Sequence, residues 1–386
     1  MTPDVAVVGT RCVLDRSHLA DLFRALQTAG YALVGPTRRG AAIVYDEIDS
    51  PDDLPAGWTD VQAPGRYRLE RSNDGALFAY HASPWSWKKY LLEPQLTLWR
   101  AERQEHGFML KPTRAPATPR ALIGVRACDL QAIAVQDRVL TEGPHSEPHY
   151  AALRRGLFIV AVQCNQAGGT CFCASMDSGP APRGGFDLAL VERVGPGRHE
   201  FRVEAGSPAG AEILARVPSR PAGPEDDAAA ATLAAEAVRG MGRRLETRGL
   251  REALQGALAH RNWEPVAQRC LGCANCTLVC PTCFCTNVED VTDLDGGGAE
   301  RVRVWDSCFN VQFSYINGGS IRKSLAARYR QWLTHKLASW IDQFGMSGCV
   351  GCGRCITWCP VGIDITAEAS ALREREAHEP ALESRG

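Results

Sequence analysis

The chain has 386 residues, 45% hydrophobic and 23% charged, which is enough apolar material for a substantial core and a length that suggests two or more domains. Its 43 basic residues face 44 acidic ones, a formal net charge of −1, so the charge balance points neither to nucleic acid nor to an anionic membrane surface. No window reaches the roughly 18 consecutive apolar residues of a membrane span, and the N-terminus lacks a basic stretch followed by an apolar core, so a cytoplasmic protein without a membrane span is expected.

The first elements read as α/β. In "SHLADLFRALQTAGY" a cap at Ser17, a face of Leu19, Leu22, Phe23 and Leu26, and a stop at Gly30 predict a helix. "AAIVYDEI" and "GALFAYHA" read as short strands between turn residues, and the proline-rich stretch 111–120 as a connector. "ALIGV", "CDLQAIAVQDRVL" and "LFIVAVQC" then read strand, helix, strand, a crossover that predicts a parallel pair at the centre of a sheet. Both strands run into a cysteine, Cys128 and Cys164, and open α/β sheets place their sites at the carboxyl ends of parallel strands.

"FDLALVERVGPGRHEFRVEAG" alternates like a hairpin around a Gly-Pro-Gly turn, and 219–227 reads as a linker. An N-terminal α/β domain with a partly parallel sheet is therefore expected over residues 1–222. A helical domain is expected over 223–386, giving an α+β chain overall. Helices are predicted in "DDAAAATLAAEAVRGMGRRL", "LREALQGALAHRNW" and "SIRKSLAARYRQWLTHKLASWIDQFG".

The sixteen cysteines are unevenly spread, five before residue 270 and eleven from there on. A long chain without an export signal argues against a disulfide scaffold. Cys270, Cys273, Cys276 and Cys280 fit C-x2-C-x2-C-x3-C-P, closed by Pro281; Cys349, Cys352, Cys355 and Cys359 fit it again, closed by Pro360. This is the bacterial ferredoxin run, in which three close thiolates wrap one iron–sulfur cube and the fourth reaches the other. That crossed rule assigns Cys270, Cys273, Cys276 and Cys359 to one [4Fe-4S] cluster and Cys349, Cys352, Cys355 and Cys280 to a second. Paired CxxC motifs also make structural zinc sites, but two matched sets of four, each with its proline, favour iron–sulfur.

The 68 residues between the two runs, 281–348, suggest helices spanning between the loops rather than a small ferredoxin. Leu271, Val279, Val350, Ile356 and Trp358 would limit water at the sulfurs, or serve as plain core. Cys128, Cys164, Cys171 and Cys173 make a complete ligand set for a third [4Fe-4S] cluster, the alternative being that Cys128 and Cys164 are buried core cysteines. Cys283, Cys285 and Cys308, with Asp306, form either a further metal site or the lining of the nearby cubes. Cys12 stands alone and is read as inert. The chain carries no dinucleotide fingerprint, Walker loop, nucleophile elbow or H-E-x-x-H, and its nine histidines are scattered. Clusters without a substrate pocket imply an electron relay that catalyses nothing alone.

Taken together, "GVRACDLQAI", "CFCASMDSGP", "CLGCANCTLVCPTCFC", "WDSCF" and the stretch 335–365 ending in "CPVGIDI" resemble the iron–sulfur beta subunit of cytoplasmic bidirectional nickel–iron hydrogenases, the sulfhydrogenase type. "GWTDVQAPGRYRLE" and "SWKKYLLEP" extend the likeness to the N-terminal half. The A subunit of anaerobic, NADH-dependent sulfite reductase is a relative and the alternative; "CPVGIDI" is closer to the hydrogenase subunits. The resemblance implies a heteromeric oxidoreductase in which this subunit carries electrons between a flavin/NAD(P)-binding subunit and the small and large nickel–iron subunits.

Overall fold

The computed structural model describes residues 7–81, 83–115 and 118–373. Part of the proline-rich connector, residues 116 and 117, lies outside them. The largest unit is an eight-stranded sheet in the order Arg220–Pro221, Arg11–Asp15, Arg198–Ala205, Leu188–Gly195, Leu157–Val162, Arg120–Val125, Ala32–Arg39, Ala42–Glu47. Its four central strands, Leu188–Gly195 to Ala32–Arg39, pair in parallel, and the outer pairs are antiparallel. Arg120–Val125 and Leu157–Val162 are almost wholly buried, as strands covered on both faces must be, which is why they read as unbroken apolar runs. The helix Ala127–Leu140 makes the crossover between them, so the expected strand–helix–strand unit is present. The Leu188–Gly195 and Arg198–Ala205 hairpin turns where the Gly-Pro-Gly signal lies, with Gly195 opposite Arg198.

Four local expectations are corrected. The first helix, Leu19–Thr28, buries Leu19, Leu22, Phe23 and Leu26, but the capping carboxylate is Asp15, which accepts from the Ser17 N–H at 2.9 Å and opens a short 3-10 turn before the helix. "GALFAYHA" is not a strand among its described residues: the N–H groups of Leu77 and Phe78 turn to the buried carboxylate of Glu192, at 2.7 and 2.9 Å. Residues 219–227 are not a slack connector. Arg220–Pro221 adds an edge strand, and Pro224 opens the helix Pro224–Arg239, whose Asp226 is buried with Arg193 and Arg220 beside it.

The fourth correction concerns the helical C-terminal region. Helices and the two cysteine runs dominate it, yet Thr286–Thr292 and Gly298–Trp305 form a hairpin between the runs. This hairpin pairs with another, Gln95–Gln104 and Gly107–Pro112, in one four-stranded antiparallel sheet. Within Gly298–Trp305, Val302 and Val304 alternate with Arg301 and Arg303, the two-residue period of a strand.

Three apolar cores follow. One covers the large sheet; a second packs Trp263, Tyr329, Trp332, Leu333 and Phe309 among the C-terminal helices; a small third joins Cys128, Ala132 and Cys173 to Val350 and Cys352 of the second cysteine run. No helix is long and apolar enough to cross a membrane, among the described residues.

Candidate metal centre

The two cysteine runs fold alike. After Cys270 the backbone is left-handed at Gly272 (φ +64°) and Ala274 (φ +65°) and enters the helical turn Asn275–Leu278; after Cys349 it is left-handed at Gly351 (φ +62°) and Gly353 (φ +76°) and enters Arg354–Thr357. In each, the N–H two residues on points at the first sulfur: Gly272 to Cys270 Sγ and Gly351 to Cys349 Sγ, both 3.4 Å. The N–H of Ile363 points at Cys359 Sγ, 3.3 Å away. Loops of this shape turn successive thiols toward one centre and offer N–H dipoles to sulfurs that bear negative charge. The second loop needs glycine for a further reason. A Cβ at Gly351 would lie 2.6 Å from the Phe172 carbonyl and one at Gly353 would lie 2.5 Å from that of Thr170, so this loop sits directly on the segment holding Cys171 and Cys173.

Cys270, Cys273, Cys276 and Cys359 all line one cavity of about 430 Å³ including its open mouth, walled by Phe309, Tyr329, Trp332 and Ile363. Three of these thiols come from the first run and one from the second, and Cys355, also of the second run, lines the same cavity. Cys273 is the one exposed cysteine among the described residues, so this set opens to the surface.

Cys280, Cys349, Cys352 and Cys355 gather deeper. Burial pushes the Cys355 thiol well up, and the neighbouring sulfurs of Cys349, Cys352 and Cys280 add to the shift. Burial also pushes Cys349 up to about 12, opposed by the ammonium of Lys336. Cys280 goes the other way: a hydrogen bond from Cys283 and the Lys336 charge hold it well below the ordinary thiol range despite burial. Lys336 itself, which burial would discharge, is kept charged by Cys280, Cys283 and Cys349.

The N-terminal cysteines adjoin this deeper set. Cys128 and Cys173 pack in one small core with Cys352, and Cys171 Sγ lies 3.8 Å from the Cys352 carbonyl. Burial pushes Cys171 up to about 12, and the sulfur of Cys164 adds to it; burial also raises Cys164, which the guanidinium of Arg126 opposes. Cys128, Cys171 and Cys173 thus adjoin the second run, and Cys164 lies within electrostatic reach of Cys171. Cys285 and Cys308 are close enough to couple, and burial lifts Cys308 to about 12, but Asp306 turns its carboxylate to Ser307 N–H and Asn310. Cys12 is a buried strand residue facing the large core. Of the apolar residues expected at the sulfurs, Val350 and Ile356 are buried, whereas Leu271 is 64% exposed.

Sequence reading missed the buried cations that accompany the thiols. Lys336, Arg126 and Arg354 are each almost completely enclosed, beside Cys280, Cys164 and Cys352 respectively. Charged side chains are rarely enclosed without a partner, and a lone Lys or Arg in a helical or loop pattern carries no sign of its depth.

The donor set fits iron–sulfur clusters. Zinc needs four donors converging to about 2.0–2.3 Å from one point. The first thiol set lines a volume of about 430 Å³ including its mouth, room for a cluster rather than a single ion.

Comparison with known proteins agrees with this chemistry. The 4Fe-4S dicluster domain family matches residues 269–363, a span that contains both cysteine runs. Over 371 residues, 94% of this chain and 98% of the relative, the sequence is 28% identical to sulfhydrogenase 2 subunit beta of Pyrococcus furiosus. No solved structure matches the chain. The C-terminal third thus carries a 4Fe-4S dicluster domain, and nearly the whole chain is similar to a sulfhydrogenase beta subunit.

Proposed function

We propose that this chain is the electron-relay subunit of a cytoplasmic, NAD(P)-linked nickel–iron hydrogenase, working between a flavin/NAD(P)-binding subunit and the small and large nickel–iron subunits. The observation that carries the reading is the succession of thiol sets. The surface cavity shares Cys355 with the deeper set, and the deeper set shares its Cys352 packing with Cys128 and Cys173. Cys270, Cys273, Cys276 and Cys359 would hold one [4Fe-4S] cluster; Cys280, Cys349, Cys352 and Cys355 a second; Cys128, Cys164, Cys171 and Cys173 a third. When bound, each cluster supplies a one-electron carrier with a potential set by its surroundings.

The protein's own residues do the rest. Phe309, Tyr329 and Trp332 keep water from the inner wall of the cavity, and the N–H groups of Gly272, Gly351 and Ile363 favour charged sulfur. Arg126, Lys336 and Arg354 compensate thiolate charge where water cannot. One end of the row reaches the surface at Cys273, a suitable contact for one redox partner, and the other lies in the N-terminal domain.

Anaerobic reconstitution followed by iron and sulfide analysis tests the cluster assignment, with about twelve iron per chain expected from three four-iron clusters and well under eight contradicting even the two ferredoxin-type ones. Co-purification from native cells tests the complex. Nickel with hydrogen-dependent NAD(P)+ reduction supports it, whereas siroheme with sulfite-dependent NADH oxidation would assign the chain to a sulfite reductase as its A subunit. The isolated chain should turn over no NADH or NADPH with a dye.

A further inference from the structure

The helix that follows Leu325–Thr334 is interrupted by one π turn, His335–Ser339. Such turns widen a helix locally, re-aim its side chains and often mark functional sites. The side chain aimed inward here is Lys336, 3% exposed. An ammonium has three donors, and all three are engaged: Cys280 Sγ at 3.3 Å, Thr282 Oγ1 at 3.0 Å and the Gly348 carbonyl at 3.0 Å. The Gly348 N–H returns a 2.9 Å bond to the Lys336 carbonyl. A Cβ at Gly348 would fall 2.3 Å from the Trp340 ring, so only glycine lets the second cysteine run close against the π turn. Among the described residues no carboxylate pairs with Lys336, and the negative partner available to it is sulfur.

The corresponding sulfur of the other set is treated differently. Cys359, the fourth cysteine of the second run, receives the Ile363 N–H at 3.3 Å; among the described residues no lysine or arginine donates to it, and the nearest guanidinium charge, Arg269, is half-exposed and paired with Glu368. At the fourth cysteine the two sets therefore differ by a buried ammonium; the other buried cation beside the deep set, Arg354, is already paired with the carboxylate of Asp129.

We propose that Lys336 is a fixed cation that raises the reduction potential of the cluster held by Cys280, Cys349, Cys352 and Cys355 above that of the cluster held by the surface cavity. The proposal rests on the relay reading. Reduction adds one electron, and hence one negative charge, to a cluster and its thiolates. An ammonium in contact with one of those sulfurs, in a region that water does not reach, stabilises the reduced form more than the oxidised form. An electron arriving from the exposed side then settles inward.

The test is a potentiometric titration of the reconstituted full-length chain followed by electron paramagnetic resonance. Cys349→Ser and Cys273→Ser identify the signals of the deep and surface clusters, since Cys349 does not line the surface cavity and Cys273 does. In the wild type the deep signal is expected at the higher potential. In Lys336→Met it moves to more negative potential by about 59 mV or more, a tenfold change for a one-electron couple, while the surface signal stays. Lys336→Arg, which keeps the charge, moves it less. Lys88→Met is the control: this second buried ammonium donates to the carbonyls of Leu278 and Cys283, at 3.4 and 3.1 Å, and touches no sulfur, so the deep signal moves less than in Lys336→Met. A deep signal that stays in place or moves positive in Lys336→Met overturns the proposal. Should that variant fail to retain iron, the wild-type order decides, and a deep cluster at or below the surface one overturns it. A wild-type chain without iron–sulfur absorbance would defeat the relay reading itself, and this inference with it.

Discussion

Arg354 and Asp129 form a two-pronged ion pair, at 2.9 and 3.0 Å, with both side chains sealed from solvent. Arg354 lies between Cys352 and Cys355, and Asp129 follows Cys128 in the first turn of Ala127–Leu140, so the pair fastens the second cysteine run to the N-terminal sheet domain. The guanidinium also donates to the Ser83 carbonyl at 2.8 Å. Removing one partner leaves an uncompensated buried charge, and Asp129→Ala should cost about 3–5 kcal/mol in denaturant unfolding. Replacing both, as Asp129→Leu with Arg354→Met, should cost much less, because the desolvation of two ions is then avoided.

Cys173 packs with Cys128 and Cys352 and lies within electrostatic reach of Cys164 and Cys171. If the N-terminal thiols hold a cluster, Cys173→Ser lowers the iron content of the reconstituted chain by about one third, one four-iron unit in three. The signals of the other two clusters persist. Unchanged iron would remove the N-terminal cluster and return Cys128 and Cys164 to plain packing.

Burial pushes the thiols of Cys276, Cys349 and Cys355 upward, so the metal-free chain holds them as neutral thiols at neutral pH. Iron binds thiolate, so assembly must expel those protons. The sign follows: raising the pH favours uptake, and lowering it opposes uptake. Cluster reconstitution followed by visible absorbance should be more complete in mildly alkaline than in mildly acidic buffer, with protons released into weakly buffered solution.

The strand Gly107–Pro112 forms one edge of the four-stranded sheet and exposes Phe108, Met109 and Leu110 in succession. An apolar edge with unpaired backbone groups invites pairing with another chain. The isolated subunit should therefore self-associate in light scattering. Leu110→Lys should reduce this while leaving iron content unchanged, since the edge carries none of the sixteen cysteines.

The sequence by itself determined the ligand chemistry, because cysteine spacing within a short loop is local: two residues between sulfurs and a closing proline dictate the turn wherever the loop is placed. It also determined the central crossover, since strands buried on both faces must be continuously apolar and Arg120–Val125 and Leu157–Val162 are. Tertiary structure decided what depends on partners distant in the chain. The hairpin Thr286–Thr292 and Gly298–Trp305 finds its neighbour in Gln95–Gln104, nearly two hundred residues earlier. Leu77 and Phe78 give up a strand because Glu192, far along the chain, accepts their N–H groups. Nothing in the sequence marks Lys336 and Arg354 as buried, and only the packing of a π turn and of a loop against the sheet domain encloses them beside sulfur. Burial is a property of the assembled fold, and it turns a common lysine into a charge that water cannot screen.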